Sequence, residues 1–176
     1  MLPLDDARWR ELSQAFGSAE DVPRLLAHLE LVDDRARREL WLGLWGTLWR
    51  ADTVFTASYA AVPHLVAWAA GRGAAEAARA LHLVAGIEIG RLQPGAPPVP
   101  PDLARAYHAA VAAVPGVVAG RIDEPWDPDT AQVLTGALAV AKGHPDFGGA
   151  ALQLEPRVTC ATCGDVRATA GWGPSA

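Results

Sequence analysis

The feature that most constrains the fold is a series of alanine-rich, apolar segments that Gly, Pro and Asp residues divide into helix-length pieces. The chain of 176 residues contains 36 alanines but only three isoleucines. Alanine is the strongest helix former, whereas β-branched residues favour strands. We therefore expect seven or eight helices joined by short turns. Sequential helices of this kind form either a bundle or a solenoid of stacked antiparallel pairs.

Capping and helix-breaking residues place these helices along the chain. We expect them at 5–16, 21–29, 33–50, 53–70, 74–89, 102–114 and 130–142, with a further turn within 144–152. Pro63 lies inside the fourth segment and predicts a kink or a restart there, because proline removes one backbone hydrogen bond. The stretch 93–101 contains five prolines and cannot be helical.

A tryptophan stripe characterises the third segment. Trp41, Trp45 and Trp49 recur every four residues, and a leucine precedes each of them. Together they give an apolar arc of about 180°, where a surface helix needs only about 100°. The pattern predicts an inner helix that packs against neighbours on two sides. In the alternative interpretation, one tryptophan lies at the edge of a partner groove, because tryptophan is enriched at binding hot spots.

The character of the sequence changes near its end. We expect a helical domain over 1–153 and a small β-hairpin over 154–176, because β-prone residues at 157–159 and 166–169 flank a Cys-x-x-Cys turn.

That turn contains the only two cysteines, Cys160 and Cys163, which are the candidate metal ligands. A structural zinc ion needs four ligands. The sequence leaves three alternatives open: a metal-free turn, a zinc site and a redox pair. The zinc site would be completed by His144 or Asp165, or by the cysteines of a second chain in a homodimer. Thioredoxin-like motifs open a helix, which disfavours the redox pair here.

Charge and motif content exclude several classes of function. The net charge of −5 argues against a general nucleic-acid or anionic-membrane binder. No stretch of 18 residues is apolar enough for a transmembrane helix, and the first ten residues lack the features of a signal peptide, so we expect a cytoplasmic protein. Nucleophile-elbow, Walker A and dinucleotide-binding motifs are absent from the sequence. We therefore expect no catalytic residues.

Residues 44–49 and 52–66 carry a resemblance to a known group. They read Leu-Trp-Gly-Thr-Leu-Trp and Asp-Thr-Val-Phe-Thr-Ala-Ser-Tyr-Ala-Ala-Val-Pro-His-Leu-Val. This pattern resembles a group of bacterial HEAT-repeat-like proteins, some of which also end in Cys-x-x-Cys-Gly. The resemblance implies an all-α, HEAT-like right-handed stack of antiparallel helix pairs. It also implies protein binding through the helical surface, as in an immunity or scaffold protein.

The chain departs from that pattern at one polar point. Where the group carries His-Gln-Gly, this sequence has Arg50-Ala51-Asp52, so a function of that tripeptide is lost or changed here. The candidate partner-binding residues are Trp49, Arg50, Asp52, Tyr59, His64 and Trp126. The alternative is a HEAT-like enzyme of the DNA-glycosylase type, which would use Trp49, Arg50 and Asp52 in a concave groove. The acidic net charge argues against this alternative.

Overall fold

The computed structural model describes residues 1–30, 34–50, 53–152, 157–159 and 166–168. These residues form a mostly helical chain with three two-stranded antiparallel sheets. The α-helices are α1 (Val22–His28), α2 (Asp34–Leu48), α3 (Thr56–Ala70), α4 (Ala74–Arg91), α5 (Pro101–Ala119), α6 (Pro128–Ala141) and α7 (Pro145–Ala151). The strands are β1 (Ser13–Gln14), β2 (Gly17–Ser18), β3 (Trp49–Arg50), β4 (Thr53–Val54), β5 (Arg157–Thr159) and β6 (Val166–Ala168). Within the described residues, no helix has the length and apolar character needed to cross a membrane.

The middle helices lie close to where the sequence predicts them. Helix α6 begins after Asp127, whose carboxylate accepts a hydrogen bond from the Thr130 N–H at 2.7 Å. This bond satisfies one of the amides that a helix leaves unpaired at its start. Helix α3 continues through Pro63 as one element, so the predicted restart does not occur.

The prediction of a helix over residues 5–16 is wrong. Only Ala7–Glu11 is helical, as a short 3-10 helix, and the chain then turns through the β1–β2 hairpin. Gly17 adopts a φ of +123°, which suits glycine and ends any helical continuation. The indole N–H of Trp9 donates to the carbonyl of Pro3 at 2.9 Å, which holds the 3-10 turn against the N-terminal segment.

The boundary between the third and fourth predicted helices also differs. Helix α2 ends at Leu48 and α3 begins only at Thr56, because β3 and β4 form a second hairpin between them. Ser58 explains the late start of α3. Its hydroxyl accepts from the Phe55 N–H at 2.9 Å and donates to the Leu48 carbonyl at 2.6 Å. The end of α2 and the start of α3 are thereby joined by one buried side chain.

Helices α3 and α4 form the centre of the core. Helix α3 packs against α4 and α5, α4 packs against α6, and α6 packs against α7. Arg37 and Glu76 form a 2.9 Å ion pair between α2 and α4. Trp41 is buried and meets Trp68 of α3 edge to face, with ring centroids 5.4 Å apart. The interpretation of the stripe as core packing is confirmed for Trp41.

The C-terminal strands pair as the sequence predicts. Strands β5 and β6 are antiparallel, with Val158 opposite Arg167. Cys160 and Cys163 lie between these strands in the sequence and outside the described residues.

Candidate partner-binding surface

Two short hairpins lie side by side at the junction of α2 and α3. The Ala15 N–H, in the turn between β1 and β2, donates to the carbonyl of Thr47 in the last turn of α2 at 3.1 Å. The Ser13 N–H donates to the hydroxyl of Thr56 at 2.8 Å, which fixes the same hairpin to the start of α3. The β1–β2 hairpin is therefore held by helix ends as well as by its own two-residue strands.

Phe16 and Arg50 meet at this junction and form what we call the Phe16–Arg50 surface. Phe16 is 70% exposed, although it is a large apolar residue. The guanidinium carbon of exposed Arg50 lies 5.3 Å from the centroid of the Phe16 ring, in cation–π range. Neither side chain contributes to the core, so the surface presents an aromatic ring and a cation together.

The turn geometry explains why Phe16 points outwards. Gln14 and Gly17 pair across the hairpin, which leaves Ala15 and Phe16 as its two-residue turn. Gln14 points inwards: its amide nitrogen donates to the Ser18 carbonyl at 3.2 Å and to Asp21 Oδ1 at 3.3 Å. The sequence pattern predicts a helix at Phe16 and does not single the residue out. Gly17, directly after Phe16 and before Ser18, was the available signal for a turn.

Trp49 precedes Arg50 in β3 and packs against the core. Its ring is half-buried and meets Trp45 edge to face at 5.4 Å between centroids. Its indole nitrogen is buried, has no hydrogen-bond partner among the described residues, and lies close to Gly86 of α4, where a Cβ would be 3.6 Å away. The ring of Trp49 therefore packs against α4 and the core.

Tyr59 lies in the core and not on the Phe16–Arg50 surface. Its side chain is fully buried in α3, and its hydroxyl donates to the carbonyl of Pro97 at 2.7 Å. Burial raises the pKa of the Tyr59 phenol, so the hydroxyl remains a hydrogen-bond donor. Tyr59 ties α3 to the proline-rich segment.

His64 and Trp126 hold parts of the chain in place. His64 Nε2 donates to the Leu2 carbonyl at 2.8 Å, and burial lowers the pKa of the imidazole, which favours its neutral form. The indole N–H of half-buried Trp126 donates to the Arg121 carbonyl at 2.9 Å. Among the described side chains, neither His64 nor Trp126 contacts Phe16 or Arg50.

The remaining predicted residues, Asp52 and the two cysteines, lie outside the described part of the chain. Within that part, no cluster of three or more His, Cys, Asp or Glu side chains is arranged to hold a metal ion. The zinc site and the homodimer through the Cys-x-x-Cys hairpin stay predictions.

A second polar cluster lies between α4 and α5. The Tyr107 hydroxyl donates to the carboxylate of Glu88, and Arg91 Nε donates to the same carboxylate at 2.9 Å. Burial, followed by the charge of Glu88, raises the pKa of Tyr107, which keeps the phenol protonated. Because each group is engaged by another member of the cluster, the arrangement favours a structural role over catalysis.

No family model, curated protein or solved structure matches this chain. The resemblance of 44–66 to HEAT-repeat-like proteins stays a prediction.

Proposed function

We propose that this protein is a non-catalytic protein-binding module that contacts its partner through the Phe16–Arg50 surface. The observation that carries the proposal is the 70% exposure of Phe16 beneath an exposed arginine. Aromatic residues and arginine are enriched in interface cores and at hot spots. The exposed ring of Phe16 is not needed to hold its hairpin, because β1–β2 is fixed by backbone and hydroxyl contacts to α2 and α3.

A HEAT-like stack is the architecture that we propose for the scaffold. The support lies in which helices touch: α1 contacts α3 and α3 contacts α5 on one side, while α4 contacts α6 on the other. Within the pairs, α3 contacts α4 and α5 contacts α6. Stacked helix pairs would produce this pattern. Such a scaffold would hold the two hairpins at a fixed place on its surface.

The partner that we propose is a protein with an apolar pocket and a nearby carboxylate. The ring of Phe16 would enter the pocket, and the guanidinium of Arg50 would form a charge-assisted hydrogen bond with the carboxylate. Over a longer range, the net charge of −5 would accelerate association with a partner of basic overall charge. An immunity or scaffold role fits this combination.

The experiment is affinity capture from the native host with matched variants of the chain. Phe16→Ser and Arg50→Gln are compared with Phe147→Ser, which removes a phenylalanine of α7 with 64% exposure. We expect the captured partner to be lost with the first two variants and retained with the third. Loss of one hot-spot side chain corresponds to about 2 kcal/mol of binding free energy, or roughly thirtyfold in affinity.

All three variants should unfold within about 0.5 kcal/mol of the parent, because surface substitutions rarely cost more. Equal recovery of the partner with Phe16→Ser and with the parent chain would contradict the proposal. Equal loss with Phe147→Ser would also contradict it, because the effect would then not be specific to the Phe16–Arg50 surface.

A further inference from the structure

The proline-rich segment between α4 and α5 has a conformation of its own. Residues 96–101 read Ala-Pro-Pro-Val-Pro-Pro. Each proline fixes its own φ near −65°, and each residue before a proline is restricted to extended conformations. Pro100 accordingly has φ −55° and ψ 136°, close to polyproline II values. Within 96–101, only Pro98 and Pro101 are not followed by a proline, and Pro101 is the first residue of α5. These restrictions favour a polyproline II ridge that runs up to the start of α5.

The exposure of this ridge repeats with the three-residue period of polyproline II. Ala96 and Val99, three residues apart, are half-buried and pack against the core. Pro98 and Pro101, also three apart, are exposed, and Pro97 and Pro100 are half-buried. One edge of the triangular helix therefore faces the core. Pro98 and Pro101 form the exposed edge, and half-buried Pro97 and Pro100 form the third.

Both ends of the ridge are fixed by hydrogen bonds. The Pro97 carbonyl accepts from the buried hydroxyl of Tyr59 at 2.7 Å. The Pro100 carbonyl accepts from the N–H groups of Leu103 and Ala104 at 2.9 and 3.0 Å, which joins it to the first turn of α5. Among the described residues, the carbonyls of Pro98 and Val99 accept no such bond. These two carbonyl groups can accept a hydrogen bond from a donor on another molecule.

We propose that residues 97–101 are a docking ridge for a protein domain with an aromatic-lined groove of the polyproline-recognising class. Such grooves take Pro-x-x-Pro segments in the polyproline II conformation. The ridge contains two overlapping copies of that spacing, Pro97 to Pro100 and Pro98 to Pro101. Val99 packs against the core, on the side of the ridge that faces away from the groove. Because the conformation is fixed in advance, little conformational entropy is lost on binding. This proposal is independent of the Phe16–Arg50 surface.

The test is an NMR titration of the full ¹⁵N-labelled chain with three unlabelled probes: an SH3 domain, a WW domain and profilin. Val99 carries the only backbone N–H within 97–101, so its signal reports directly on the ridge. We expect at least one probe to shift the Val99 signal in a saturable way, with a Kd below about 1 mM. A free proline-rich peptide that binds the same probe should reverse the shift.

Pro98→Ala and Pro94→Ala are the matched variants, because both remove an exposed proline from the same loop. Pro98→Ala should weaken binding at least about tenfold, while Pro94→Ala should leave it unchanged. Thermal unfolding of both variants checks that α4 and α5 remain packed. The proposal is overturned if none of the probes shifts the Val99 signal, or if Pro98→Ala binds as tightly as the parent chain.

Discussion

Arg121 and Arg50 show how differently one residue type is used in this molecule. Arg121 is only 6% exposed, and its guanidinium donates to four backbone carbonyls. These belong to Val117, Ala69, Ala70 and Arg72. Arg50 is exposed and has no carboxylate partner among the described residues. Its hydrogen-bonding capacity is therefore available to another molecule.

Replacement of Arg121 should be among the most destabilising single changes. Arg121→Met removes the guanidinium donors from the carbonyls of Ala69 and Ala70 at the end of α3, which we expect to cost about 3 kcal/mol in the free energy of unfolding. Arg121→Lys should recover little, because an ammonium group cannot reproduce the planar set of donors. Urea unfolding measures both, with Arg105→Met as the exposed control. A loss below about 0.5 kcal/mol for Arg121→Met would refute this account of the α3 terminus.

Gly148 is required by the close approach of α7 to α6. A Cβ at this position would collide with Val140 Cγ2 and would lie 2.6 Å from the Gly136 carbonyl oxygen. We expect Gly148→Ala to lower the free energy of unfolding by about 1–3 kcal/mol through overpacking. Gly43→Ala is the control, because nothing lies within 4 Å of its Cβ position. That variant should gain about 0.5–1 kcal/mol from helix propensity, and a gain of the same size in Gly148→Ala would contradict the tight packing.

At the scale of elements, the junction between α2 and α3 depends on Ser58. Its fully buried hydroxyl makes two hydrogen bonds, one to the Phe55 N–H and one to the Leu48 carbonyl. We expect Ser58→Ala to cost about 1–2 kcal/mol, the usual range for a lost helix cap. Thr135→Ala, on the exposed side of α6, should change stability little. If both variants unfold at the same urea concentration, the junction does not depend on Ser58.

The middle helices and the C-terminal hairpin could be predicted from the sequence, whereas the β1–β2 and β3–β4 hairpins could not. Local composition and breakers suffice for α4, α5 and α6, because alanine-rich segments bounded by Gly or Pro have few alternatives. The hairpins have strands of only two residues, and distant contacts hold them, such as that of Ala15 to Thr47. No local pattern encodes such contacts. The same limit explains why the sequence pattern predicts a helix at Phe16.

At the scale of the whole molecule, two histidines govern the response to mild acid. Burial lowers the pKa of both His64 and His82 below the ordinary value of 6.5. The unfolded chain therefore binds protons more readily, and stability should fall as the pH drops below about 6.5. The depressed pKa values of Asp102 and Asp127 act only in a lower window, below about pH 4.

The double variant His64→Gln, His82→Leu should flatten the loss of stability between about pH 6.5 and 5. Urea unfolding at several pH values measures the slope, and His28→Gln with His108→Gln is the exposed control pair. An unchanged slope in the His64, His82 variant would show that other groups are responsible.

Site-specific photo-crosslinking in the native host shows whether the Phe16–Arg50 surface contacts a protein partner. A photo-reactive phenylalanine analogue is placed at position 16 in one chain and at position 147, on α7, in another. We predict one discrete protein adduct from position 16, absent from position 147 and lost when Arg50→Gln is added. The same adducts from both positions, or none from position 16, would contradict the account.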